Sequence, residues 1–343
     1  MPPDPPPPDL LSALSRMGLS TADTPVPAGM RLTGGVSSDI WRIDLPSGPV
    51  CVKRALAQLR VAADWRAPVS RNRYEARWMQ RANAARPGVA PALLGQDEAS
   101  GALAMDYLDP ATHPLWKDQL RAGQTDPDFA AAVGAAIAAI HAATAADPAV
   151  AAAFPTADIF HDIRLSPYLL ATAAVHPDRA EALRRLAAVT AATRCALIHG
   201  DVSPKNILAG PRGPVFLDAE CATWGDPAFD LAFCLNHLLL KCLWTPDATP
   251  GFLACFDALT AAYCAGVTWE SPAALEARAA ALLPGLFLAR VDGKSPVEYV
   301  TQEHQKTRVR RVARAWLAAP ATRLAALREA WAADLATSAP GPA

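Results

Sequence analysis

No charge of either sign dominates this sequence: 32 Lys and Arg face 33 Asp and Glu, a net charge of -1 over 343 residues. Without a global field, neither nucleic acid nor an anionic membrane would be held to the surface, and any charged partner has to be recognised locally. The seven cysteines are odd in number and scattered, with no C-x-x-C pair. That spacing speaks against a zinc ribbon and a disulfide framework, and it points to a reducing compartment with most cysteines as small core residues. No charge-free apolar run reaches the length of a membrane span, because the most apolar stretch, LAFCLNHLLLKCLW, is broken by Asn236, His237 and Lys241. The N-terminus, MPPDPPPPDLL, has six prolines in its first eight residues and no basic segment leading into an apolar one. That is not a signal-peptide pattern. The expectation is a cytoplasmic protein with no nucleic-acid or membrane partner.

With 52% hydrophobic residues the chain can bury a large core, and its length favours two lobes. Residues 1–8 read as a disordered, proline-rich tail, after which Asp9 caps a short helix. Residues 29–54 contain three short strands broken by Gly34-Gly35 and Pro46-Ser47-Gly48. A helix follows with Ser70 as its N-cap and Tyr74, Trp78 and Met79 on its apolar side. Residues 93–108 form a further hairpin running into an extended connector. From Asp126-Pro127 onward the pattern is helical, starting with Phe129, Val133, Ile137 and Ile140. The organisation expected is a tail at 1–8, an N-terminal lobe at 9–106 and a C-terminal lobe at 107–338.

One stretch interrupts the helical half: ALIHGDVSPKNILAGPRGPVFLDAE, residues 196–220. NILAGPRGPVFLD reads as a β-hairpin turning at Pro211-Arg212-Gly213, with Asn206 and Asp218 side by side at its open end. Asp201 stands five residues before Asn206. Hard oxygen donors gathered in this way suit Mg²⁺, which keeps some waters and shares the rest with phosphates. Each of these residues alone is an ordinary turn former. As a set, H-x-D, then Asn, then a strand-borne Asp match a kinase catalytic loop and metal segment. Upstream, Lys53 in the strand VCVKRA and Glu75 in the following helix supply the ion pair that such a site requires.

HGDVSPKN and FLDAECATWGDPAFDLA resemble the loop and metal segment of the aminoglycoside phosphotransferase family, which includes choline, homoserine and methylthioribose kinases. The resemblance implies an α+β, two-lobed protein-kinase-like fold: a small N-terminal antiparallel sheet with a helix, and a larger, mainly helical C-terminal lobe. It implies ATP and Mg²⁺ as cofactors and a small-molecule hydroxyl as acceptor. In that scheme Asp201 accepts or orients the hydroxyl proton, His199 braces the loop, Lys205 approaches the transferred phosphate, and Asn206 and Asp218 hold the metal. Glu220 is either a further metal-shell residue or a solvated charge. Lys53, Glu75, Gly34, Gly35, Ser37, Met105 and Tyr107 fall to the nucleotide, although LTGGVSSDIW is not G-x-G-x-x-G. Asp230 would hold the catalytic loop, and His141 is expected to be a packed core residue. Gly200 in place of a protein kinase's Arg, and the lack of an A-P-E element, argue against a protein substrate.

For the acceptor, VKRALAQLRVAADWRAPVSRNRYE is similar to the matching segment of methylthioribose kinases, which favours a sugar-like molecule. An aminoglycoside is the alternative, and an inactive kinase-like scaffold is a third reading. Arg308, Arg310, Arg311 and Arg314 either reach the acceptor or form a solvated helix face.

Overall fold

The computed structural model describes residues 6–21, 26–32, 38–56 and 68–337. Five antiparallel strands form the N-terminal sheet in the order β1-β2-β3-β5-β4: β1 (Ala28–Arg31), β2 (Ser38–Leu45), β3 (Gly48–Ala55), β4 (Leu93–Asp97) and β5 (Ala102–Asp106). Residues of a strand alternate between faces, so the register decides what each face carries. Trp41, Ile43, Leu45, Val50, Val52, Ala102 and Ala104 make one apolar face, covered by Leu10, Ala13 and Leu14 of α1 (Pro8–Arg16). Cys51 and Lys53 pair with Met105 and Leu103, so these four share the opposite face. That face looks toward α2 (Arg71–Ala85) and the C-terminal core, into which Leu103 and Met105 pack with Tyr74, Trp78 and Met79.

Two expectations for the terminus need correcting. Pro6 is buried and Pro8 already opens α1, so residues 6–8 are not a tail, and the rest of the expected tail lies outside the described residues. Asp9 sits in the first turn of α1, with Pro7 at the cap position. Ser70 does occupy the N-cap position of α2 but makes no side-chain capping bond among the described residues.

The C-terminal lobe contains α3 (Trp116–Arg121), α4 (Pro127–Thr144), α5 (Pro148–Ala153), α6 (Ala157–Phe160), a π-helical segment (His161–Leu170), α7 (Ala171–Val175) and α8 (Ala180–Ala192). Four short strands follow, β6 (Ala196–Ile198), β7 (Ile207–Gly210), β8 (Gly213–Phe216) and β9 (Thr223–Gly225). The last helices are α9 (Pro227–Trp244), α10 (Thr249–Ala265), α11 (Pro272–Asp292), α12 (Glu303–Ala318) and α13 (Leu324–Ala336). Asp126 caps α4 by accepting from the Phe129 amide at 3.0 Å, and Asp226 caps α9 through the Ala228 amide at 3.1 Å. Helix α10 lies against α4 at Gly134, where any Cβ would collide with the Leu259 carbonyl oxygen. Helices α4 and α11 have the length and hydropathy of a membrane span, and both pack in this lobe with half or more of that span buried. Cys221, Cys234, Cys242 and Cys255 are buried, as expected of core cysteines.

Candidate active site

The stretch 196–225 is built on two strand pairs within the C-terminal lobe. Strand β7 pairs with β8 through Ile207↔Phe216 to Gly210↔Gly213, which confirms the hairpin and its Pro211-Arg212 turn. Its register places Asn206 opposite Leu217, whose amide donates to the Asn206 carbonyl at 2.9 Å. Asp218 is therefore one residue beyond the position the sequence reading gives it, and it turns there with φ 66°. A left-handed non-glycine residue is costly and persists where its surroundings hold it. The second pair, β6 with β9, escaped the sequence reading. It supports Ile198, the residue before His199.

The loop from His199 to Asp201 is pinned on every side. Asp230 accepts from the backbone amides of His199 at 2.7 Å and Gly200 at 2.8 Å. His141 Nε2 lies 3.2 Å from the same carboxylate, so this buried histidine supports the loop through Asp230. Gly200 has φ 78°, and a Cβ there would come within 2.7 Å of the Cys221 carbonyl oxygen. The bend demands glycine on both counts. His199 bonds through Nε2 to the Leu217 carbonyl at 3.0 Å and accepts at Nδ1 from the Asp201 amide at 3.1 Å. Trp78 of α2 meets the His199 ring edge-on at 4.7 Å, tying the loop to the N-terminal lobe. Burial pushes the His199 pKa down, and its fixed Nδ1 acceptor role agrees with a neutral ring.

Asp201 is 2% exposed. Its Oδ2 takes two cations, Arg164 Nη2 at 2.8 Å and Lys205 Nζ at 3.2 Å. Its Oδ1 is buried with no hydrogen-bond partner among the described residues. Burial alone would raise this carboxyl's pKa, but Arg164 and Lys205 outweigh it, so the pKa is lowered and the group stays ionised. Asn206 donates its amide nitrogen to the Asp201 carbonyl at 3.1 Å, which leaves its side-chain oxygen to the other side.

Across the lobes, Lys53 Nζ lies 2.8 Å from Glu75 and also bonds Asp218 Oδ1. Burial opposes the Lys53 charge, but Asp218 and Glu75 overcome it and raise its pKa. Burial raises Glu75 to about 7, with Lys53 pulling the other way. Asp218 is opposed by burial too, yet Lys53 and Lys205 hold it well below the usual carboxylate range. Lys53 thus joins Glu75 to Asp218 across the lobes, while Asn206 is tied to Asp201.

The family model described as "Phosphotransferase enzyme family" matches residues 29–275. The chain belongs to this family, and it is a small-molecule phosphotransferase. No curated protein matches it. Among solved structures it is similar to choline kinase from Cryptosporidium parvum Iowa II, with 10% identity, 90% of this chain and 96% of that chain covered, and a TM-score of 0.55. It is also similar to amicoumacin kinase hAmiN in complex with AMP-PNP, Ca²⁺ and Ami, with 13% identity, 86% and 90% coverage and a TM-score of 0.52. At these identities the likeness shows the two-lobed kinase-like fold.

Several residues of the phosphotransferase depart from their expected surroundings. Glu220 is not solvated: it is 6% exposed and accepts from Arg71 Nε at 2.8 Å. Arg71 is fully buried at the start of α2 and also donates to the Leu56 carbonyl at 2.7 Å, so this pair links the lobes. Met105 faces inward beside Lys53 on its sheet face, and Tyr107 stands half-buried where β5 leaves the lobe, with Arg42 over its ring at 4.8 Å. Gly34, Gly35 and Ser37 lie outside the described residues. The four arginines of α12 are all paired: Arg308 and Arg311 with Asp334, Arg310 with Asp292 and Glu303, Arg314 with Asp178. The residue missed outright is Arg164, from the π-helical segment, which also donates through Nε to the Gly200 carbonyl at 2.6 Å. FHDIRLSPYL gives no spacing signal for that contact.

Proposed function

We propose that this phosphotransferase moves the γ-phosphoryl group of ATP to a hydroxyl of a small molecule in a Mg²⁺-dependent reaction, with an N-terminal nucleotide lobe at 9–106 and an acceptor lobe at 107–338. The observation that carries the reading is Asp201, ionised, with Oδ2 tied to two cations and Oδ1 buried and unpartnered among the described residues. An acceptor hydroxyl is the group such an oxygen would take. As the hydroxyl oxygen bonds to the γ-phosphorus, the bond from that phosphorus to ADP breaks and the hydroxyl proton passes toward Asp201. Lys53, held by Glu75, is free to exchange Asp218 for nucleotide phosphate. Lys205, 48% exposed beside Asp201, would stabilise charge on the transferred group.

The residues present fit a divalent cation. Asn206 offers its side-chain oxygen and Asp218 its second carboxylate oxygen, a two-oxygen set that leaves the remaining positions for phosphate and water. Bound there, Mg²⁺ would neutralise charge developing on the phosphates. Glu220 is given to Arg71 in this reading, although sequence alone allows it in the metal shell. Support from the fold comes from the AMP-PNP and Ca²⁺ held by amicoumacin kinase. The presence of Lys53, Asp201, Asn206 and Asp218 together favours an active enzyme over a scaffold. A methylthioribose-like sugar is the acceptor suggested by sequence, with an aminoglycoside as the alternative, and a cytoplasmic setting suits both.

Replacing Asp201 with Asn should lower turnover by about 10²–10⁴-fold, read as ADP release, while calorimetry shows Mg·ATP binding nearly intact. Turnover close to wild type would remove Asp201 from its role.

A further inference from the structure

Beside the Asp201–Lys205 pair, the C-terminal lobe buries cationic and hydrogen-bonding groups that the transfer step does not use. Phe233, His237, Lys241 and Trp244 follow one another along one side of α9. Phe233 lies 5.8 Å from the Arg164 guanidinium and 5.5 Å from the His237 ring, so the row begins at the partner of Asp201. Lys241 is 1% exposed and, among the described residues, its ammonium has neither a hydrogen bond nor an ion pair. Its ammonium instead lies 4.4 Å from the Trp244 ring and 4.9 Å from the Tyr299 ring, which stack on each other. Burial, then repulsion from Lys117, push its pKa down to about 7.

Arg290 of α11 is 6% exposed. It donates to the Tyr168 hydroxyl and to Ser295 Oγ, both at 3.1 Å, but among the described residues it has no ion pair and its Nε has no partner. His237 is 5% exposed, and its Nε2 is likewise buried without a partner. Burial pushes the His237 pKa well down, and Arg290, Lys241, Lys205 and Lys117 add to the effect, which places Lys205 of the catalytic loop within electrostatic reach of this cluster. The acids that act on Lys241 are Glu298, bonded to Lys117, and Asp118 of α3, both exposed. Glu298 also acts on Arg290, and neither acid forms an ion pair with Lys241 or Arg290 among the described residues. Buried cationic groups and orphaned nitrogens matched so poorly are costly to keep, and a ligand anion would relieve them.

We infer that the acceptor of this phosphotransferase carries an anionic group, a carboxylate or a phosphate, received by Arg290, His237 and Lys241 while its hydroxyl reaches Asp201. The inference rests on the phosphotransferase reading above and sets its acceptor apart from the neutral sugar and the aminoglycoside that sequence suggests. A quaternary amine or a polycationic aminoglycoside would meet like charge here, and the aromatic pair that would attract a ligand cation already holds Lys241.

The test measures ADP release with Mg·ATP against three acceptor arms: gluconate and ribose 5-phosphate; methylthioribose and glucitol; choline and glucosamine. Binding of the same compounds is followed by Trp244 fluorescence, with Trp244→Phe as the blank. The expected result is binding and stimulation by an anionic arm roughly tenfold or more above the neutral and amine arms, the responding compound separating carboxylate from phosphate. Equal or better response to a neutral or amine compound overturns the inference, as does failure of both anions to bind at millimolar concentration. Lys241→Met should erase the anionic preference and raise Tm. Because the Lys241 pKa is lowered from 10.5 to about 7 in the fold, its charge destabilises fully below about pH 7 and less as pH rises toward 10.5, so the Tm gain should fade over that range. A lower Tm with unchanged preference would mark Lys241 as structural and overturn the inference. Failure of the underlying phosphotransferase reading has a separate signature, the absence of Mg·ATP binding by calorimetry in the wild-type protein.

Discussion

Arg164 is the group on which the ionised state of Asp201 depends, and replacing it with Met keeps its bulk while removing its charge. The guanidinium is 6% exposed, 2.8 Å from Asp201 Oδ2, and bonded to the carbonyls of Gly200 at 2.6 Å and Ile163 at 2.9 Å. Breaking one side of a buried pair costs about 3–5 kcal/mol, because the remaining charge is left in low dielectric. Lys205 is still 3.2 Å away, but it is 48% exposed and screened, so it replaces only part of the loss. Urea unfolding of Arg164→Met at neutral pH should therefore show about 2–4 kcal/mol less stability than wild type. The sign with pH follows from the lowered Asp201 pKa. The pair's contribution is present above the ordinary 3.8 and is lost as pH falls through the lower folded value, so the two proteins should converge in acid. In catalysis, Asp201 would protonate more readily in the variant, moving the acid limb of the kcat profile to higher pH, and the loosened loop should cost about 10²-fold in kcat. Arg164→Lys should restore the acid limb more fully than the rate, because it keeps a charge but loses the planar fork that holds Gly200. An Arg164→Met enzyme with the wild-type acid limb and wild-type stability would refute the reasoning.

Two further outcomes follow from the seam between the lobes. Asp218→Ala removes one proposed metal ligand and one partner of Lys53, so calorimetry should show that Mg²⁺ no longer strengthens ATP binding; an undiminished Mg²⁺ effect would take Asp218 out of the metal site. Glu220→Gln takes one charged partner from the buried Arg71 and should lower stability by about 1–3 kcal/mol in thermal unfolding. A change below about 0.5 kcal/mol, the range of an ordinary surface substitution, would show that Arg71 and Glu220 do not help hold the lobes together.

The motif residues were legible because their chemistry and order along the chain are constrained together. Lys53 and Glu75 meet at 2.8 Å as their strand and helix positions imply, and Asp230 holds the 199–201 loop through two amides. The hairpin at 207–216 was legible from its turn, but its register was not, and a single residue of slip moves Asp218 past the position opposite Asn206. The pairing of β6 with β9 was invisible because three-residue strands are too short to show a period. Glu220 and the arginines of α12 were ambiguous for another reason. A charge on a helix or loop reads as solvated until the opposing surface is known, and here Arg71, Asp178, Asp292 and Asp334 provide it.

By itself the sequence determined the two-part organisation, the identity and order of the polar residues at the site, and the kind of chemistry they suit. These follow from local periodicity, turn chemistry and spacing, which act over a few residues. Tertiary structure alone decided that Arg164 from a π-helical segment would grip Asp201 across 37 residues of chain. It also decided that Lys241 and Arg290, on different helices, would be buried near one another without an ion pair among the described residues. Contacts of this kind depend on how helices pack and where low dielectric encloses a charge, and neither is written in the spacing of residues along one segment.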